Sequence, residues 1–216
     1  IGEQIFKLDP DHLAARTSVA LAYAARAARH VNVRDLRKAI EDYDRAIGLN
    51  PASPDLFFER GLAYRGLGDY DRALADFDQA IRLDPDNAQF YYARGSVYHD
   101  AVFHRHPIGD YARAIADYDR AIERAHDNAL FRYSRGKSYY QVALQNRRAD
   151  DLQHAIDDFT QAITLDPNNG EYVYARGLAH KLRGARADAQ SDFQRAVTLG
   201  YTKAASELPL WQRLFG

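Results

Sequence analysis

Four arginines recur at about one position per repeat, each immediately before the glycine that is three residues after an aromatic: Arg60, Arg94, Arg135 and Arg176. Each has an acidic counterpart further along the chain, in Asp76, Asp117, Asp158 and Asp192. A guanidinium binds a carboxylate through two parallel hydrogen bonds, so ion pairing is the chemistry these residues suggest. A pairing repeated four times reads as structural, because a specific ligand seldom needs four equal contacts. A second row runs through Phe58, Tyr92, Tyr133 and Tyr174, each three residues before a glycine. One turn further on stand Leu62, Ser96, Lys137 and Leu178, and then Arg65, His99, Tyr140 and Lys181. Tyrosine offers contact area at low entropic cost and keeps a hydroxyl for hydrogen bonding, which suits a peptide partner. The same rings would serve equally to pack one helix on the next. A basic edge forms a third group: Arg29 and His30, then His104, Arg105 and His106, then Arg147 and Arg148. It would meet an acidic partner or a phosphate backbone, or, as is more common, remain a set of solvated helix tips.

Other chemistry has little support. His99, His104 and His106 are close in sequence but not at helical i, i+4 spacing, and no thiolate joins them, so no metal site is expected. The acidic pairs Asp42/Asp44, Asp76/Asp78 and Asp117/Asp119 read as a solvated face with arginines nearby, not as an acid–base dyad. There is no Gly-rich phosphate loop, no G-x-S-x-G turn and no strand pattern to carry one. No catalytic residue and no cofactor are expected.

Composition narrows the partners. Of 216 residues, 29 are Lys or Arg and 30 are Asp or Glu, giving a net charge of −1. Proteins that bind nucleic acid or anionic membranes usually carry a strong basic bias, so neither partner is expected. The chain has no cysteine, which leaves the redox compartment open, and no apolar run long enough for a spanning helix. A soluble protein follows, with the cytoplasm the favoured compartment. The chain starts at Ile1 and contains no methionine, so it is expected to be a piece of a longer protein.

The elements that must position these residues are read from Pro54 to Pro85, PDLFFERGLAYRGLGDYDRALADFDQAIRLDP. It divides into two amphipathic helices joined by Gly66, Leu67, Gly68 and Asp69. Phe57, Gly61 and Tyr64 lie on one face of the first; Ala73, Phe77, Ala80 and Ile81 on one face of the second. Asp69 is placed to cap the second helix. The small residues let the backbones approach while the aromatics fill the space beside them. One such hairpin cannot bury both faces and needs copies as neighbours. Copies follow throughout, with unit ends at Pro10, Pro51, Pro85, His126 and Pro167.

This pattern of a small residue and tyrosine, then alanine, aromatic, alanine and proline, resembles the tetratricopeptide repeat family. The resemblance implies an all-α, right-handed solenoid of stacked antiparallel hairpins. Residues 1–10 would be the end of a truncated preceding repeat. Five repeats would follow at 11–51, 52–85, 86–126, 127–167 and 168–201, with a capping helix over 202–216 carrying Leu208, Leu210, Trp211, Leu214 and Phe215. It implies a non-catalytic scaffold or adaptor that binds a peptide segment or partner protein in a concave groove lined by the first helices. Carried over, that groove comprises Phe58, Tyr92, Ser96, His99, Tyr133, Lys137, Tyr140, Tyr174 and Lys181. The family's lysine and asparagine clamp for a C-terminal carboxylate is not seen at these positions. The alternatives are a self-assembly module, a homo-oligomer joined through its repeat ends, or an accessory domain of a larger enzyme or transport machine.

Repeats 1, 3 and 4 are 41 residues long rather than 34, with seven residues added between the first-helix small residue and the second-helix alanine. Seven residues make about two helical turns, so a first helix could lengthen without rotating its buried face; a longer loop is the other solution. In repeat 3, Pro107 and Gly109 place the helix end near His106. The three long repeats are expected to project beyond the others on one edge.

Overall fold

The computed structural model describes residues 14–15, 17–19, 22, 33–107 and 109–208. The first helix of repeat 1, with Arg16, Ala20, Tyr23, Arg29 and His30, lies largely outside the described residues. So do the truncated repeat at 1–10 and the apolar tail after Leu208. Every regular element among the described residues is helical. The chain divides into two compact units, residues 1–110 and 111–216.

Unit 1 contains α1 (Val33–Leu49), α2 (Pro54–Gly66), α3 (Tyr70–Leu83) and α4 (Ala88–Phe103). Each packs against the next in sequence. Pro54 opens α2 at a position where its missing N–H costs nothing. Asp69 caps α3, its carboxylate accepting from the Arg72 N–H, and Asn87 caps α4 through Gln89 N–H. The hairpin of α2 and α3 closes where Gly61 meets Phe77. A Cβ added at Gly61 would lie 2.7 Å from the Phe77 ring, so no larger residue fits without displacing it. Phe77, Ala73 and Ala80 are fully buried.

Unit 2 contains α5 (Tyr111–Arg124), α6 (Ala129–Asn146), α7 (Ala149–Leu165), α8 (Gly170–Arg183) and α9 (Arg186–Thr198), then a 3-10 helix over Thr202–Glu207. Consecutive helices again pack on one another, and α6 also touches α8. Phe159 presses on Gly136 and Phe193 on Gly177 as Phe77 does on Gly61. Asn128 and Asn169 cap α6 and α8.

The added residues of repeats 3 and 4 are accommodated differently. In unit 2 they lengthen both helices: α6 has 18 residues and α7 has 17, against 14 and 13 in α8 and α9. The extra length is thus shared at about one turn per helix, which keeps each buried face in register. The helices join through Arg147, which adopts a left-handed φ of 54° and donates its N–H to the Ala143 carbonyl. In unit 1, α4 ends at Phe103, earlier than Pro107 and Gly109 suggest. Arg105 turns left-handed there (φ 54°), and the His106 N–H returns to the Ala101 carbonyl. This closes the helix before the proline is reached. A second correction concerns the C-terminal cap: its first turns, Thr202–Glu207, are 3-10 rather than α-helical, with Ala204 and Leu208 buried against unit 2.

Candidate functional site

The arginines form ladders rather than isolated pairs. Arg60 donates two hydrogen bonds to Asp76, at 2.8 and 2.6 Å. Arg135 does the same to Asp158, and Arg176 to Asp192. Each carboxylate is buried. Each guanidinium also reaches back through Nη1 to the second helix of the preceding hairpin. Arg60 bonds Asp44 at 2.6 Å, Arg94 bonds Asp78 at 2.7 Å and Arg135 bonds Asp119 at 2.6 Å. Arg176 meets Thr160 instead, at 3.4 Å. Bonding to Asp76 and Asp158 holds Arg60 and Arg135 above the ordinary guanidinium value. The acidic pairs are therefore not a merely solvated face. In Asp76–Phe77–Asp78 the first acid serves its own hairpin, the aromatic meets that hairpin's Gly61 and the second acid serves the next hairpin; Asp44 and Asp119 likewise serve the hairpin that follows. The signal was the triplet itself, with threonine replacing its last acid in Asp158–Phe159–Thr160.

The opposite, first-helix face holds the aromatic row. Leu130, Tyr133, Lys137, Tyr140 and Leu144 recur every three or four residues along α6 and so share one face. Glu171, Tyr174, Leu178 and Lys181 do the same on α8. The Tyr133 ring is buried between Phe159, at 5.8 Å between centroids, and Tyr172, at 4.6 Å. Its hydroxyl donates to Glu171 at 2.8 Å, tying α6 to α8. Tyr174 is held likewise by Phe193 and Tyr201, at 5.8 and 5.1 Å. Tyr140 is half-buried beside Lys181 and Glu207, and Lys181 pairs with Glu207 at 2.6 Å. Lys137 lies over the Tyr133 ring at 5.4 Å and Lys203 over Tyr174 at 6.0 Å. Burial pushes the phenols of Tyr133, Tyr140, Tyr174 and Tyr201 above their ordinary value, most strongly at Tyr133, where the bond to Glu171 adds to it. They are protonated donors at neutral pH.

In unit 1, Phe58 packs on Phe77 and Phe90, at 5.9 and 5.0 Å, and Tyr92 is half-buried. Ser96 and His99 are buried, at 4% and 7% exposure; the Ser96 hydroxyl donates to the Tyr92 carbonyl. The structure thus brings Tyr133, Lys137, Tyr140, Tyr174 and Lys181 onto one surface of unit 2, which Tyr201, Lys203 and Glu207 complete. All three follow the last hairpin helix: Tyr201 stands where the repeat's closing proline would fall, and Lys203 and Glu207 lie where the repeat pattern gave no position to carry over.

The basic residues sit at helix ends. His104 and His106 approach the Tyr70 ring at 6.0 and 5.5 Å, and Arg105 is exposed. Arg147 is exposed, and Arg148 lies 3.6 Å from Asp151. Among the described residues no three His, Asp or Glu side chains converge as a metal site, and no helix is long and apolar enough to cross a membrane.

Family models described as tetratricopeptide repeat match residues 27–95, 77–116, 108–141 and 136–169 in succession. The chain belongs to the tetratricopeptide repeat family. Proteins of this family mediate protein–protein interactions, and the repeat fold is typically non-catalytic. Solved structures are similar in fold. MamA residues 41 to the end, from Desulfovibrio magneticus RS-1, shows a TM-score of 0.70 at 20% identity, covering 87% of this chain and 96% of its own. A crystal structure of MamA shows 0.66 at 23% identity, covering 79% and 91%. YrrB, described as a tetratricopeptide protein with an unusual peptide-binding site, shows 0.66 at 18% identity, covering 92% and 91%. At these identities the likeness concerns the fold of the tetratricopeptide array alone. No curated protein matches the sequence.

Proposed function

We propose that this tetratricopeptide chain is a non-catalytic adaptor whose first-helix face in unit 2 receives a peptide segment of a partner protein. The carrying observation is the composition of that face. Leu130, Leu144 and Leu182, 42–44% exposed, lie on the same first helices as tyrosines whose rings are fixed by packing. Rigid aromatic anchors beside open aliphatic side chains supply contact area without a large ordering cost, which is what a peptide site needs. The groove positions expected from the sequence are divided in role under this reading. Tyr133 shapes the surface, Tyr174 both shapes it and presents its hydroxyl, and Lys137, Tyr140 and Lys181 contact the ligand. The peptide-binding description of YrrB, a fold neighbour, is in keeping with such a use.

The test is selection from an unbiased displayed peptide library with the wild-type chain and with Leu130→Ser/Tyr140→Ala/Leu144→Ser, its helicity verified by circular dichroism. Peptides enriched by the first and not retained by the second support the site. Peptides that bind both equally place recognition on another surface.

A further inference from the structure

We infer that the unit 2 face selects an acidic segment, with Asp or Glu side chains interspersed among apolar residues, through Lys137, Lys203 and the hydroxyls of Tyr140, Tyr174 and Tyr201. The inference rests on the peptide-binding reading above and names the class of peptide.

This face offers more hydrogen-bond donors than free acceptors. Two acids lie on this face, and both are engaged within the protein: Glu171 accepts from the Tyr133 hydroxyl, and Glu207 is paired with Lys181. The remaining groups donate. Lys137 and Lys203 are exposed ammonium groups that rest on the Tyr133 and Tyr174 rings and have no carboxylate partner among the described residues. Tyr140 and Tyr201 are half-buried and Tyr174 is 8% exposed, and their hydroxyls make no hydrogen bond to described residues. Five donors without a protein acceptor leave a surface short of negative charge and of acceptor atoms. A carboxylate supplies both and accepts from ammonium and phenol alike.

Geometry sets the spacing of the ligand. The Tyr174 and Tyr201 rings are 5.1 Å apart, with the Lys203 ammonium 6.0 Å from Tyr174. Lys137 lies over the Tyr133 ring at 5.4 Å, on the α6 face that also carries Leu130 and Leu144. Carboxylates interspersed with aliphatic residues, the latter against the leucines, match this set of groups. The preference is electrostatic, so it weakens with salt; the leucine contacts do not.

Three labelled peptides test it, sharing one leucine and serine framework and carrying Glu, Gln or Lys at the remaining positions. Fluorescence anisotropy with the full chain should rank them Glu above Gln above Lys, with roughly tenfold between the first two. Lys137→Glu/Lys203→Glu should remove the Glu preference and leave Gln binding near wild type. Tyr140→Phe/Tyr174→Phe, which keeps the rings, should weaken only the Glu peptide, by about threefold. Equal binding of all three peptides that is lost in Leu130→Ser/Leu144→Ser would overturn the acidic preference while leaving the peptide site standing. A preference for Lys would overturn the charge argument outright. Absence of binding by every peptide would overturn both readings.

Discussion

Replacing glycine by alanine at three positions should give opposite signs, because the helices meet the added methyl differently. Alanine is favoured over glycine within a helix by about 1 kcal/mol, other things equal. At Gly48, near the end of α1, nothing lies within 4 Å of an added Cβ, so Gly48→Ala should stabilise by up to about 1 kcal/mol. At Gly136 the Cβ would lie 2.9 Å from one Phe159 ring carbon, 3.0 Å from another and 3.1 Å from the Asp158 Cβ. The ring is buried and cannot withdraw, and Asp158 is held by Arg135. Overpacking of this kind costs about 1–3 kcal/mol, so after the propensity gain Gly136→Ala should lose up to about 2 kcal/mol. At Gly66 the obstacle at 3.1 Å is a terminal methyl of Leu36, which can rotate, so Gly66→Ala should change stability little. Urea unfolding followed by helical circular dichroism reads all three. Adding Phe159→Leu to Gly136→Ala should recover part of the loss, as coupling between contacting residues requires. If Gly136→Ala proves as benign as Gly48→Ala, the account of the glycine–aromatic contact is wrong.

The ladder makes further predictions. Asp158→Ala strands a half-buried guanidinium and should cost roughly 3 kcal/mol, whereas Asp119→Ala, at a 43% exposed side chain, should cost no more than about 1 kcal/mol in the same urea assay. Thr160→Asp restores the acid present at Asp44, Asp78 and Asp119 and should raise the unfolding midpoint by up to about 1 kcal/mol, with a gain that shrinks in high salt. His180 is held below the usual imidazole range by burial, with Arg183 and Arg176 opposing the pull of Asp192 and Asp188. The unfolded chain therefore takes up this proton first. Stability is at its full value above a pH of ~6.5 and falls as acidification proceeds towards the depressed folded value. His180→Gln should flatten that part of a pH series of urea midpoints; an unchanged slope would assign the effect elsewhere.

Local chemistry was legible where one residue decides the outcome. Asp69 caps α3 because a carboxylate before an amphipathic run has few better uses, and Gly61 and Phe77 declare a close approach by their sizes. Asp76, Asp158 and Asp192 were legible for the same reason, since the arginine of each stands before the glycine that fixes hairpin register. The second acid of a triplet was not, because its partner belongs to the next hairpin and the stacking register appears in no single repeat. Helix ends were misjudged at α4 because Arg105 takes a left-handed conformation more common for glycine, so Pro107 only follows a turn already made. The division of added length between α6 and α7 was hidden because either helix accepts another turn without exposing its buried face. On the first-helix face the row of tyrosines was visible, but of the completing residues Tyr201 closes the last repeat where a proline was expected, and Lys203 and Glu207 lie past it.

The two-sided arginine has a consequence for how such a chain can grow. Each hairpin of this kind carries a donor that looks backward and an acceptor that looks forward, like a link with both a hook and an eye. A duplicated hairpin arrives with both halves of the joint and can be spliced between existing copies without a compensating change elsewhere. Repeat 4 offers the next hairpin a hydroxyl in place of a carboxylate. An insertion following it would begin with the weaker joint, whereas one following repeat 2 would inherit the full ion pair between Asp78 and the arginine of its neighbour.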